Sequence, residues 1–410
     1  MRKDPRGWLS SQLQASAGPS GLENIGPLSY ALHRASKRDR EDARKLAKAT
    51  YDAEANAREA YAATTRSPFQ ERLVRFWSNH FCVSITQVRC VGLVGNFERQ
   101  VIRPNLDGHF VDLLLATAHH PAMLLYLDQT RSVGPNSRVG RKHDKGLNEN
   151  YARELMELHT LGVNGGYTQQ DVQALAAILT GWSLDPGQGR RDPFEFDYKR
   201  HEPGNHTFLG QRLSEGGHNQ GIRALELLAA HPSTALFIAT KLVRHFVSDT
   251  PHPQDIDRIA RTFIQTQGHL PSVHEALIHL ERAWQPGHPK LRTPAELVTA
   301  MARGMGHKLP GSELLKGRRA LGQMPWAAPS PQGWPDQASA WTGPDSIVAR
   351  VDLAKQFSER AQLNVDPVEL GERLLGARFP TQDRKLLAGL SPVQGVAVLF
   401  ASPSFQWRAQ

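Results

Sequence analysis

The sequence predicts a mainly α-helical protein: a single multi-helix domain with a small β-hairpin inserted around residues 190–212. Apolar residues recur at helical spacing through most of the 410 positions. Helix-starting residues stand directly before several of these stretches, as in Ser67-Pro68-Phe69-Gln70 and Thr168-Gln169-Gln170-Asp171. Period-two alternation is confined to Phe194-Glu195-Phe196-Asp197-Tyr198. No repeat of 20–50 residues is present, which argues against a solenoid.

The elements follow in order. Residues 38–65 are rich in Ala, Glu, Lys and Arg, strong helix formers. Their polarity predicts a long exposed helix, so residues 1–66 read as an N-terminal helical arm and 67–410 as the core domain. The helix after Ser67 holds Leu73, Val74, Phe76 and Trp77 and delivers His80 near its end. Residues 108–127 form a helix interrupted near His119-His120-Pro121. Residues 129–146, rich in Gly, Ser and Arg, predict a mobile loop leading into a charged helix. The helix at 169–181 has an apolar face of Val172, Leu175, Ala176, Ile178 and Leu179. In the hairpin, 194–198 pairs with Thr207-Phe208-Leu209-Gly210. Helices resume at 219–230, 232–248, 253–266, 271–283 and 293–306. Residues 324–344 are too rich in proline for a helix and tuck over the core as a loop. Helices at about 345–363, 366–374, 382–388 and 392–401 close the chain.

Composition narrows the function. Hydrophobic residues make up 40% and charged residues 22%, enough for a real core. No run of about 18 apolar residues marks a transmembrane helix. The formal charge of +9 is spread along the chain. There is no zinc-finger spacing, basic-aromatic RNA motif or helix-turn-helix, so nucleic-acid binding is disfavoured. Cys82 and Cys90 could close a disulfide loop in an oxidising compartment or pack unpaired, and neither has metal-ligand spacing. Gly-x-Ser-x-Gly, phosphate-loop and dinucleotide motifs are missing.

The densest chemistry lies in Asn148-Glu149-Asn150-Tyr151-Ala152-Arg153-Glu154-Leu155-Met156-Glu157-Leu158-His159. On an ideal helix Asn150, Glu154 and Glu157 share a stripe, while Arg153 reaches Glu149 and Glu157 at i,i+4. Buried carboxylates must be paired or metal-bound, so this stripe is the leading site candidate. Glu154 or Glu157 would be base or ligand, Arg153 an anion clamp, and Asn148 and Asn150 orienters. His80, His201 and His206 are candidate metal ligands, because imidazole with carboxylate suits a divalent metal. The competing reading is a buried Glu–Arg network that pins helices together. Trp326, Trp334 and Trp341 offer ring faces for a carbohydrate.

These segments resemble a known family. Arg75-Phe76-Trp77-Ser78-Asn79-His80-Phe81, the charged helix, Thr180-Gly181-Trp182 and His201-Glu202-Pro203-Gly204-Asn205-His206 carry the resemblance. It continues through His120-Pro121, Lys241-Leu242, Arg292-Thr293-Pro294, Glu296, Gly333-Trp334, Trp341 and Ser402-Pro403-Ser404-Phe405-Gln406. Together they are similar to the bacterial family catalogued as domain of unknown function 1800, over roughly residues 65–410. The resemblance implies export to the periplasm or beyond, although Met1-Arg2-Lys3-Asp4-Pro5 leads into no apolar signal core. It also implies a sulfatase-like protein as partner. The family pattern often has lysine at the position of His206 and phenylalanine at that of His159, so neither is indispensable. The expected function is a hydrolase, metal-dependent if the ligand set is real, acting on an extracytoplasmic polymer or conjugate. A non-catalytic partner role and an oxidoreductase are the alternatives.

Overall fold

A computed structural model describes residues 4–13, 18–19, 37–185, 194–285 and 290–408. The architecture is mainly helical, with three two-stranded antiparallel sheets among the described residues. Capping sets many helix starts: Thr168 with Asp171 and Thr293 with Glu296 form capping boxes. His120 breaks the helical run as expected. Its Nδ1 accepts from Ala122 N at 3.1 Å, capping Pro121–Tyr126 after Phe110–His119 ends.

Two apolar clusters form the interior. The larger is built around residues such as Leu73, Trp77, Phe81, Phe110, Tyr151 and Ile178. The smaller holds Leu297, Met301, Leu353, Phe357, Leu399 and Phe400. The Lys37–Thr64 helix serves both, giving Tyr51 and Ala55 to the first and Ala63 to the second. The expectation of an exposed arm over residues 1–66 is therefore corrected for this helix. Three of its polar residues are buried because each meets an opposite charge: Glu54 meets Arg99, Arg58 meets Glu98, and Glu59 meets Arg75 and Arg318.

The inserted sheet region is real, but the strands pair differently. Strand β1 (Trp182–Leu184) pairs with β2 (Phe194–Phe196), and β3 (His206–Phe208) with β4 (Gln211–Leu213). The 207–210 segment thus turns back on its own continuation, with Leu209 and Gly210 at φ 47° and 73°. A third sheet joins β5 (Lys290–Leu291) to β6 (Trp407–Arg408). The 129–146 segment is ordered: Ser137 caps the short helix Arg138–His143, and Gly134 N and Val139 N donate to Arg200 O and Lys199 O. No single helix among the described residues is long and apolar enough to cross a membrane. Cys82 and Cys90 are free and buried, and burial pushes both thiols up to about 12.

Candidate functional site

The charged helix is α-helical over Asn150–Glu154 and continues as a π-turn over Leu155–His159. Thr160 Oγ1 donates to Leu155 O at 2.6 Å. The wider turn breaks the ideal i,i+3/i+4 stripes beyond Glu154. Asn148 Nδ2 donates to Asp128 O at 3.3 Å and Asn150 Nδ2 to Leu127 O at 3.1 Å, so both asparagines anchor the helix start. Arg153 pairs with Glu149 at 3.1 Å and Glu157 at 3.5 Å, and also donates to Gln169 Oε1 at 2.9 Å. Its side chain remains 39% exposed, which makes this a surface network. Glu154 has no ion-pair partner among the described residues. Burial, then Glu157, pushes its carboxyl up, while Arg153 lowers it.

The histidines fall into separate surroundings. His80 is in the core against Phe76, Trp77, Phe81 and Phe237, with Nε2 3.1 Å from His159 O. Burial, then Lys241 and His159, holds its pKa well below the usual range, so the ring is neutral. His201 Nδ1 lies 2.9 Å from Thr180 O and its ring meets Phe196 edge-on. The Nε2 atoms of His201 and His206 are buried without a hydrogen-bond partner. Glu202 accepts from Asn136 N at 2.9 Å and Asn136 Nδ2 at 2.6 Å, tying down the 129–146 segment. Among the described residues no three His, Cys, Asp or Glu side chains are placed to hold a metal ion. The expected ligand set of His80, His201 and His206 with the helix carboxylates is therefore not assembled: the neighbours of His80 are core aromatics, and those of His201 belong to the strand region.

A different site is assembled between the two apolar clusters. A cleft open in part to solvent is lined by Arg58, Arg72, Arg75, Arg318, Glu296, His245 and Asp336, with Trp326 and Trp334. Pro68–His80 supplies one wall: Arg72, Arg75 and Asn79 are spaced by three, four and seven, so they share a stripe. The opposite stripe carries buried Leu73, Val74 and Trp77. The Lys37–Thr64 helix supplies Arg58, and Gly311–Ala320 supplies Arg318. The proline-rich segment forms the roof. Asn79 accepts from Trp334 N at 2.7 Å and donates to Trp334 O at 2.9 Å; Ser84 Oγ donates to Ala328 O at 2.7 Å; Ile85 N donates to Trp326 O at 2.8 Å.

The electrostatics of this cleft are unbalanced. Glu59 sits between Arg318 at 2.6 Å and Arg75 at 3.2 Å. Burial opposes ionisation of Glu59, but Arg318, Arg75 and Arg58 outweigh it and hold the carboxyl below its usual range. Glu98 accepts from Arg58 at 2.8 Å and Arg103 at 3.0 Å, and Arg103 also reaches Glu71. Arg72 and Arg408 share Glu296 at 3.2 and 3.3 Å. Six arginines thus meet four glutamates, so positive charge remains in excess even with Asp336 of the cleft wall counted. Burial, then Arg408, pushes Arg72 down to about 9; burial pushes Arg318 down to about 10 despite Glu59. Guanidinium stays charged in proteins, so these shifts describe cations short of compensation. Arg72 Nε and Arg75 Nε are buried without an acceptor, as is the Trp334 Nε1 donor.

Sequence reading ranked the charged helix first and passed over these arginines. One signal was available: the resembling segments at Arg75–Phe81, Arg292–Glu296 and Gly333-Trp334 all contribute lining residues. Trp326 and Trp334 line the cleft, with the Arg58 guanidinium over the Trp326 ring, while Trp341 backs Trp334 at 6.0 Å between ring centres.

A family described as "Protein of unknown function (DUF1800)" matches residues 1–407, extending the resemblance to the N-terminal segment. No curated protein and no solved structure matches the chain.

Proposed function

This chain belongs to the DUF1800 family, whose description supplies no reaction, and we propose from its own geometry that it binds an anionic ligand in the arginine-lined cleft. The observation that supports this reading best is the pair of buried, acceptor-less Nε–H donors on Arg72 and Arg75. A buried polar donor without a partner costs about 1–3 kcal/mol. An incoming oxyanion supplies the acceptors and offsets the remaining positive charge. Guanidinium forks match phosphate, sulfate and carboxylate oxygens in pairs. Trp334, half-buried with a free Nε1, offers a ring face and a donor to the ligand body. An acidic saccharide combines both features. In the hydrolase reading, this cleft replaces the Asn150–Glu157 face as the working site.

Calorimetric titration of the full chain with glucose 6-phosphate, glucose 6-sulfate, glucuronate and glucose tests this. We expect at least one acidic sugar to bind and glucose not to bind. Arg72→Gln and Arg75→Gln should each weaken binding about tenfold or more, matching one lost charge-assisted hydrogen bond of about 1.5–3 kcal/mol. Each variant leaves Glu296 or Glu59 a second arginine, so the fold should persist. Equal binding of glucose and the acids, or unchanged affinity in both variants, would overturn the reading.

A further inference from the structure

We propose that His245 and Asp336 make this cleft hydrolytic toward phosphate or sulfate monoesters. The proposal rests on the anion-binding reading and adds a reaction to it. His245 stands in the last turn of the helix Pro232–Phe246, and Asp336 belongs to the roof; both line the cleft with the arginines. His245 Nδ1 lies 2.6 Å from Asp336 Oδ1. Burial opposes ionisation of Asp336, but His245, Lys290 and Lys241 keep its carboxyl below the usual range. An ionised carboxylate only accepts, so Nδ1 carries the proton and donates it. In the neutral ring Nε2 then bears the lone pair, which is the tautomer a general base needs. Nε2 has no hydrogen-bond partner among the described residues.

The dyad is held from several sides. Phe76 and Phe246 meet the imidazole edge-on at 5.3 and 4.6 Å between ring centres. Lys290 Nζ donates to Asp336 O at 2.7 Å, fixing the roof beside the dyad. A clamp between helix and roof would need the His–Asp contact alone. It would not need a base-form nitrogen sharing a cleft with uncompensated guanidinium donors. Those donors suit the equatorial oxygens of a tetrahedral phosphoryl or sulfuryl group, where transition-state charge is spread.

The step balances without a redox partner. His245 Nε2 takes a proton from water, and the water oxygen bonds to phosphorus or sulfur. The ester O–P or O–S bond breaks, and its electron pair leaves with the ester oxygen. That oxygen takes a proton from solvent, and Nε2 returns its own proton to solvent. The products are an alcohol and inorganic phosphate or sulfate.

The test uses the full chain with p-nitrophenyl phosphate and p-nitrophenyl sulfate, following p-nitrophenolate release and, separately, calorimetric binding. We expect one ester to be hydrolysed, which also identifies the preferred oxyanion. His245→Gln and His245→Asn should each lower kcat by about 100-fold or more, the range of a lost general base, with KM within a few-fold. Asp336→Asn, which removes only the positioning carboxylate, should lower kcat with KM little changed. Arg72→Gln should instead raise KM. Circular dichroism melts check that each variant is folded. Binding of both esters with hydrolysis of neither overturns this proposal and leaves anion recognition standing. A folded His245 variant with unchanged turnover also overturns it. Failure of both esters to bind overturns this proposal, and failure of the acidic sugars as well removes the anion reading with it.

Discussion

Glu59 is fully buried, with Arg318 Nη1 at 2.6 Å and Arg75 Nη2 at 3.2 Å. Glu59→Gln would strip the counter-charge from the largely buried Arg318 and Arg75 guanidinium groups. We expect a loss of about 3–5 kcal/mol in urea unfolding, the usual consequence of breaking a buried pair. Arg153 makes two ion pairs but is 39% exposed, so water screens them. Arg153→Ala should cost about 1 kcal/mol or less in the same measurement. A large loss at Arg153, or none at Glu59, would contradict this placement of the charge network.

At the scale of elements, the roof over the cleft depends on close backbone approach. Gly333 has φ +83°, and a Cβ there would lie 2.5 Å from Asn79 O. Only glycine fits while Asn79 grips the Trp334 backbone in both directions. Gly333→Ala must shift the roof or Asn79, moving Trp334 with it. We expect about 1–3 kcal/mol of strain in a thermal melt. The larger effect should be weaker binding of whichever acidic sugar the wild type takes, read by calorimetry. Unchanged affinity would mean that Trp334 takes no part in recognition.

At the scale of the whole molecule, buried histidines set the acid limit. Burial holds His120, His159 and His274 down at about 3, and His80 lies well below its usual value for the same first reason. In the unfolded chain these rings protonate near pH 6.5. Between that value and the folded ones, the unfolded state binds more protons, so stability falls as pH falls. Each ring contributes about 1.4 kcal/mol per pH unit over that window. Glu98 acts later. Burial raises its pKa, but Arg58 and Arg103 hold it at about 2, so its contribution is full above about pH 4.5 and is lost toward pH 2. Melting temperature should therefore decline from about pH 6.5 downward, before carboxylates titrate. A flat profile from pH 6.5 to 4.5 would show that these rings are not buried as neutral groups.

The helices were legible because their signals are local. The capping box at Thr168, the break at His120-Pro121 and the apolar face of Gln169–Ile178 all lie within a few residues of the structure they set. Two short strands, Phe194–Phe196 and His206–Phe208, were legible as strands, but their partners Trp182–Leu184 and Gln211–Leu213 were not, since pairing depends on register between segments. Burial of the Lys37–Thr64 helix was not legible at all. Its Glu59 finds Arg318 at a separation of 259 positions, and hydropathy cannot register a partner that distant. The same physics decided the candidate site. The charged helix concentrates its polar groups in sequence, and in space Arg153 can satisfy Glu149 and Glu157 at i,i+4 near solvent. The cleft draws its arginines from three separate helices, and folding crowds more guanidinium groups there than carboxylates can balance. Periodicity reveals what one element needs, but only tertiary packing decides which charges are left without a partner.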